Sequence, residues 1–240
     1  MILLNLGRVW LVVVALSIGL PAVALVDESL VADGWQEVTF DGKTPNRFRT
    51  DVAGELLVES EKSVSLIQRS IDVNIARTPR LSWRWRVVRQ VPPTDLATKG
   101  EDDRTLALYV AFPFVPAEAS AFERMRRAVI EKFAGSEAPG RVLMYVWGGE
   151  GARGDRVISP YLGDAGIITI LRPAGSETQT WQDEIVDIAE DYRQTFGSEP
   201  PDPISLAIGA DSDDTQTTAL GAITDLAFVG TSPTQREKGE

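Results

Sequence analysis

The sequence predicts a mainly β fold, an antiparallel β-sandwich or jelly roll with one or two peripheral helices. Three observations predict it. Short runs with apolar residues at alternate positions follow one another from Trp35 to Val229, divided by Gly, Pro, Asn and Asp. Only one segment repeats its apolar residues cleanly at helical spacing. A parallel α/β sheet needs a helix after nearly every strand, and the pattern lacks them.

In chain order, alternation predicts strands over residues 35–40, 54–59, 63–71, 81–88, 104–112, 141–147, 166–172, 204–209 and 222–229. The clean helix covers 117–133, where Phe122, Met125, Val129 and Phe133 share one face. Glu118 stands in its first turn, with Lys132 and Gly135 at its end. A second segment carries both signals. Trp181, Ile185, Ile188, Tyr192 and Phe196 fit a helix, while residues 184–188 alternate like a strand. The reading adopted is a strand up to Ile188, then a short helix from Asp191 closed by Gly197.

The first 24 residues predict a compartment. Arg8 is their only charge, an apolar run follows to Leu20, and Ala22-Val23-Ala24 supplies the small-x-small cleavage pattern after Pro21. The run is about a dozen residues, short of the roughly 20 that span a bilayer. Residues 1–24 therefore read as a secretory signal peptide, 25–230 as a single sandwich domain and 231–240 as a frayed polar tail. The expected location is exported, in a bacterial periplasm, with no membrane span after cleavage.

Composition narrows the chemistry. The net charge is −11, and loss of Arg8 with the leader makes it −12. An acidic chain has no electrostatic footprint for nucleic acid and no basic face for an anionic membrane. There is no Cys and no His. Disulfides, thiolate metal sites, imidazole ligands and His-based triads are excluded. Catalysis would fall to carboxylates, Tyr, Lys or an oxygen-bound metal, and no catalytic residue is assigned.

Side chains on a strand point alternately to opposite faces, so parity divides each strand into two sets. Leu81, Trp83, Trp85 and Val87 form one face of their strand, with Ser82, Arg84 and Arg86 opposite. Leu106, Leu108, Val110 and Phe112 oppose Ala107, Tyr109 and Ala111; Val142, Met144 and Val146 oppose Leu143, Tyr145 and Trp147. Taking the fully apolar sets as core leaves Arg84, Arg86, Asp103, Tyr109, Tyr145 and Trp147 on one sheet face. Aromatic rings that stack on a sugar's C–H face, beside arginines that donate to its hydroxyl oxygens, predict a glycan-binding floor. The alternative is that Tyr145 and Trp147 pack under the predicted helix. Trp83 and Trp85 read as core anchors.

Two loops stand out. Residues 89–103 form a long connection ending in Gly100-Glu101-Asp102-Asp103, with Asp103 expected on the Tyr109 face and within reach of Arg84 or Arg86. Asp211, Asp213 and Asp214 concentrate hard oxygen ligands suited to calcium. The spacing is not that of an EF-hand, since the sixth position is Gln216 and the twelfth Ala222. A solvated Asx-rich turn is the alternative.

Taken in order, several motifs resemble the DUF3047 family of exported bacterial proteins of unknown function. They are Trp83-x-Trp85, Gly100-Glu101-Asp102-Asp103-Arg104, Tyr145-Val146-Trp147, Asp191-Tyr192-Arg193 with Phe196-Gly197, Pro200-Pro201, Asp211-Ser212-Asp213 and Asp225-Leu226-Ala227-Phe228. The resemblance implies an architecture and a compartment, and no activity. The closing strand is also similar to those of galactose-binding-like sandwiches, many of which hold a structural calcium and bind glycans; that is an analogy of fold.

The leading expectation is an exported, non-catalytic binding module for a carbohydrate or cell-envelope glycan. One alternative is a carboxylate-dependent glycoside hydrolase or lyase. That chemistry needs two acids about 5–5.5 Å or 6.5–9.5 Å apart across a cleft. Asp102 and Asp103 are adjacent, so on a regular strand they point apart. The other alternative is an envelope structural protein with no small ligand.

Overall fold

The computed structural model describes residues 25–116 and 139–231. The predicted leader (1–24), the predicted helix (117–133) and all but the first residue of the predicted tail lie outside the described residues.

Among the described residues, twelve strands and two helices alternate as α1 (Glu28–Ala32), β1 (Gln36–Thr39), β2 (Arg47–Thr50), β3 (Leu56–Glu61), β4 (Val64–Ser70), β5 (Arg80–Arg89), β6 (Arg104–Phe112), β7 (Arg141–Trp147), β8 (Arg156–Ser159), β9 (Gly163–Arg172), β10 (Gln182–Asp187), α2 (Ile188–Phe196), β11 (Ser205–Asp211) and β12 (Thr218–Val229). They form two sheets. The larger has the order β1-β4-β11-β6-β7-β9-β8 and the smaller β10-β5-β12-β3-β2. Every pairing is antiparallel except β7 with β9, which run parallel. The fold is a β-sandwich, as the alternation predicts. The parallel pair departs from a purely antiparallel plan, because β8 pairs antiparallel on the far side of β9.

The main core lies between the sheets. Leu81, Trp83, Trp85 and Val87 of β5 face Leu106, Leu108, Val110 and Phe112 of β6. Trp83 is 1% exposed and Trp85 fully buried, so both are core anchors. Their rings meet edge-on at 5.4 Å. A second apolar cluster covers the outer face of the larger sheet, where Ala107, Met144, Val146, Ile168 and Ile170 pack with Leu96 and Leu162.

The ambiguous segment divides into strand and helix as the split reading has it, but the strand ends one residue earlier and the helix begins three residues earlier, at Ile188. β10 ends at Asp187, whose carboxylate caps α2 by accepting from Glu190 N at 3.0 Å. Gly197 closes α2 in the left-handed region at φ 70°. Tyr192 of α2 seals the edge of the core, 4.6 Å from Phe112 and 4.7 Å from Phe196.

Candidate functional site

The six residues expected on one face occupy three places. Tyr145 and Trp147 lie inside the sandwich, 1% and 0% exposed. Tyr145 packs 5.8 Å from Trp83, and Trp147 packs 5.6 Å from Trp85. The Tyr145 hydroxyl donates to Asp191 at 2.8 Å, and burial followed by the Asp191 charge pushes its pKa well above the ordinary phenol value. The shared floor is therefore corrected: a fully buried indole cannot stack on a sugar. The cause is that β6 and β7 are apolar on both faces. Alternation separates the two faces, but it does not say which one meets the opposite sheet.

Arg84 and Arg86 lie on the outer face of the smaller sheet. Arg84 pairs with Asp183 at 3.0 Å, and Arg86 with Glu55 at 3.3 Å. Both guanidinium groups lie over Trp181, at 5.4 and 4.8 Å from the ring centroid. Neither reaches Asp103. In the sequence Trp181 reads as one member of a helical spacing; its place just before an alternating run is the local signal, and the β5–β10 pairing is what brings the two arginines to it.

Tyr109 and Asp103 belong to a third place, an acidic corner where the β5–β6 connection meets the β11–β12 turn. A register shift opposite Gly209 and Asp211 separates Ala107 from Arg104. This bulge turns Arg104 toward the outer face, where its Nε donates to the Tyr109 hydroxyl at 3.3 Å. Arg104 Nη1 also donates to Asp102 Oδ2 at 2.8 Å, and Nη2 lies 3.7 Å from Asp211. Asp102 accepts from the Tyr161 hydroxyl at 3.2 Å, so the adjacent acids serve separate networks. Asp103 is fully buried and accepts from Asp214 N at 3.2 Å, Thr215 N at 2.7 Å and Thr215 Oγ1 at 2.5 Å.

The corner tests the calcium expectation. Asp103, Asp213 and Asp214 each bring a carboxylate oxygen within 4.8 Å of the others, the spread of oxygens across a sphere of radius about 2.4 Å. Asp211 is buried beside them, with Oδ1 lacking a hydrogen-bond partner among the described residues. Burial, with Asp213 and Asp103 nearby, pushes its carboxyl up to about 9 despite Arg104. The donor set suits a hard cation. Lys43 already pairs with Asp213 and lies 4.0 Å from Asp214, so an ammonium competes for the same oxygens. Asp103 joins the acidic set in place of Asp211, which pairs with Arg104 instead.

A fourth place was not anticipated. At the edge of the sandwich beside α1, a cavity of about 170 Å³ opens between the sheets. Asp33 caps the C-terminal end of α1, and Trp35 N then donates back to Leu30 O at 3.0 Å, which sets the Trp35 ring in the wall. Asp27 Oδ2 accepts from Thr50 N at 2.9 Å and ties the helix to β2. A second bulge, in β12 between Thr224 and Ala227, turns Asp225 into the left-handed region at φ 55° and onto the rim. Arg69, at the end of β4, lies with its guanidinium 4.8 Å from the Trp35 ring centroid. Its Nε is buried without a hydrogen-bond partner, and among the described residues no carboxylate stands within ion-pair distance of it.

Two packed sheets with a polar-rimmed cavity at their edge define the chain as a β-sandwich protein. A family model described as protein of unknown function, DUF3047, matches residues 33–227. The chain belongs to that family. Among solved structures it is similar to the xyloglucanase domain of NopAA, a type three effector from Sinorhizobium fredii, in complex with cellobiose. That likeness has 12% identity and a TM-score of 0.43, and covers 82% of this chain and 94% of that one. It is also similar to the family 11 carbohydrate-binding module of the cellulosomal cellulase Lic26A-Cel5E of Clostridium thermocellum. There the identity is 9% and the TM-score 0.38, over 82% of this chain and 88% of that one. No curated protein matches the chain. No described helix is long and apolar enough to cross a membrane.

Proposed function

We propose that the chain is an exported, non-catalytic carbohydrate-binding module whose ligand enters the cavity beside α1. The observation that carries this reading is the Trp35 ring beside the Arg69 guanidinium, which has no ion-pair partner among the described residues, in one concave wall. Ligand sites are concave and mostly apolar, with a few convergent polar groups. Here Leu30, Leu56 and Ile223 supply the apolar part, and Thr50, Arg69 and Asp225 the polar part. A cavity of about 150 Å³ holds benzene, so one of about 170 Å³ takes one six-membered ring. A pyranose is such a ring, with an apolar C–H face and hydroxyls that need partners. Carboxyls that burial holds up, Asp191, Asp211 and Asp214 among them, lie outside the cavity, whose own acids Asp33 and Asp225 are exposed on its rim, and this favours binding over hydrolysis.

The test is a glycan array probed with the purified protein and with Asp33→Trp. Asp33 is exposed on the rim, so an indole there covers the opening without entering the core. Binding lost in the variant at an unchanged melting temperature supports the site. Equal binding by both proteins removes the cavity from the reading, and a wild type that binds no saccharide ends it.

The export component rests on Arg8, the short apolar run and Ala22-Val23-Ala24. Mass spectrometry of the protein from its envelope fraction is expected to give Leu25 as the first residue; Met1 there would overturn it. The same reading includes a calcium ion held by Asp103, Asp213 and Asp214, where it would neutralise clustered carboxylates and tie the β5–β6 connection to the β11–β12 turn.

A further inference from the structure

Resting on the carbohydrate reading, we infer that the ring taken by the cavity carries a carboxylate, so that the ligand is a hexuronic acid or a glycan ending in one. Arg69 is the residue that selects it.

The chain has a large excess of acid, at −11, and most of its described arginines carry an ion pair, although Arg47, Arg77 and Arg89 at the surface do not. Arg49 meets Glu59, Arg80 meets Asp187, Arg84 meets Asp183, Arg86 meets Glu55 and Arg156 meets Asp191. Arg153 and Arg172 share the buried Glu184, and Arg193 takes Glu190 and Glu199. Arg69 departs from this pattern while lining a cavity. Its only described partner is the Trp35 ring, and its buried Nε has no acceptor. The Nη groups, unlike the buried Nε, reach solvent and have no acid partner among the described residues, so an incoming carboxylate gives the guanidinium the charge-assisted partner it lacks.

The stacking adds direction. A guanidinium resting on an indole keeps its N–H edge for an acceptor, and its planar fork matches a carboxylate. Trp35 is buried and is held by the turn after α1, so the fork is set in place before the ligand arrives.

The rim supplies the second half of the specificity. Asp33 and Asp225 line the same cavity, and Asp225 lies 3.7 Å from Arg84. Carboxylates accept from hydroxyl groups and repel a second negative charge. The complementary ligand therefore has one acidic group for Arg69 and neutral hydroxyl donors elsewhere. A uronate ring meets both conditions at the size of the cavity. A neutral hexose leaves Arg69 without its acceptor, and a more highly charged sugar meets the rim acids.

Isothermal titration of the purified protein with glucuronate, galacturonate, glucose, methyl glucuronate ester and glucose 6-phosphate tests this. Glucuronate or galacturonate is expected to bind about ten- to a hundredfold tighter than glucose or the neutral ester, the range that charge-assisted hydrogen bonds give. Arg69→Met is expected to erase that preference, bringing glucuronate down to the affinity of the neutral ester. Arg69→Lys keeps the charge and is expected to keep part of it, which holds the test open if the Met variant is poorly folded. Glucose binding as tightly as glucuronate would overturn the uronate inference and leave the carbohydrate reading standing. Tighter binding of glucose 6-phosphate would also overturn it, in favour of a phosphate subsite. No binding of any of the five would overturn both.

Discussion

Replacing Trp147 by Ala separates the structure from the surface that strand parity predicts. The indole is fully buried between the sheets and packs edge-on against Trp85 at 5.6 Å. An aromatic ring of this kind buries about 200 Å², or about 5 kcal/mol at roughly 25 cal/mol per Å². The edge-on contact adds about 0.5–1.5 kcal/mol. Against this, Trp147 Nε1 is buried without a hydrogen-bond partner, and its removal returns about 1 kcal/mol or more. The expected net loss is about 3–5 kcal/mol, the range of large core truncations. For a domain of this size that lowers the melting temperature by roughly 6–20 °C. Urea unfolding followed by far-ultraviolet circular dichroism measures the loss without relying on the deleted fluorophore. Because Trp85 and Trp147 touch, the double Trp85→Ala, Trp147→Ala variant is expected to be non-additive by about 0.5–3 kcal/mol. A variant that melts within about 2 °C of wild type while losing saccharide binding would refute the reasoning and return Trp147 to a binding face.

Tyr145→Phe removes the hydrogen bond to Asp191, at an expected cost of about 1–3 kcal/mol near neutral pH. The native state holds the Tyr145 proton above pH 10 while the unfolded chain releases it, so wild-type stability falls with rising pH there and the gap to Tyr145→Phe should narrow; a constant gap from pH 8 to 11 would argue against the buried phenol. Millimolar calcium against EDTA is expected to raise the melting temperature, and more so in Lys43→Met, where the competing ammonium is gone; equal melts for both proteins in both buffers would leave only a hydrogen-bonded turn. Trp181→Ala is expected to cost only about 1–2 kcal/mol, since its described contacts are two surface cation–π pairs, and a loss as large as that of Trp147→Ala would place Trp181 in the core by chemical denaturation.

Much of the fold was legible because its strands alternate. β6 and β7 begin and end where the pattern does, at Arg104–Phe112 and Arg141–Trp147. The strand-to-helix change near Ile188 was readable from the loss of period two and from Gly197. Some short elements were not. α1 has five residues, too few for a helical period to emerge, and the four residues of β2, with one apolar side chain, and of β8, with two adjacent ones, lack the alternation that marks the run around the equally short β1. The acidic corner was half legible. Asp213 and Asp214 belong to one dense run, but Asp103 joins them only because β6 lies beside β11.

The sequence by itself determined the alternating strands, the aromatic core anchors Trp83 and Trp85, the absence of thiol and imidazole chemistry, and the family motifs in their order. These are properties of residue type and nearest spacing, which side-chain periodicity carries along one chain. Tertiary structure decided which face of β7 turns inward, why β7 and β9 run parallel, and where the bulges turn Arg104 and Asp225. It also brought Trp35, Arg69 and Asp225 to one cavity from α1's turn, β4 and β12. A face with apolar residues on both sides has no inward direction until a second sheet packs on it, and a cavity between sheets exists only where the two fail to close. Both depend on long-range packing, which no local pattern encodes.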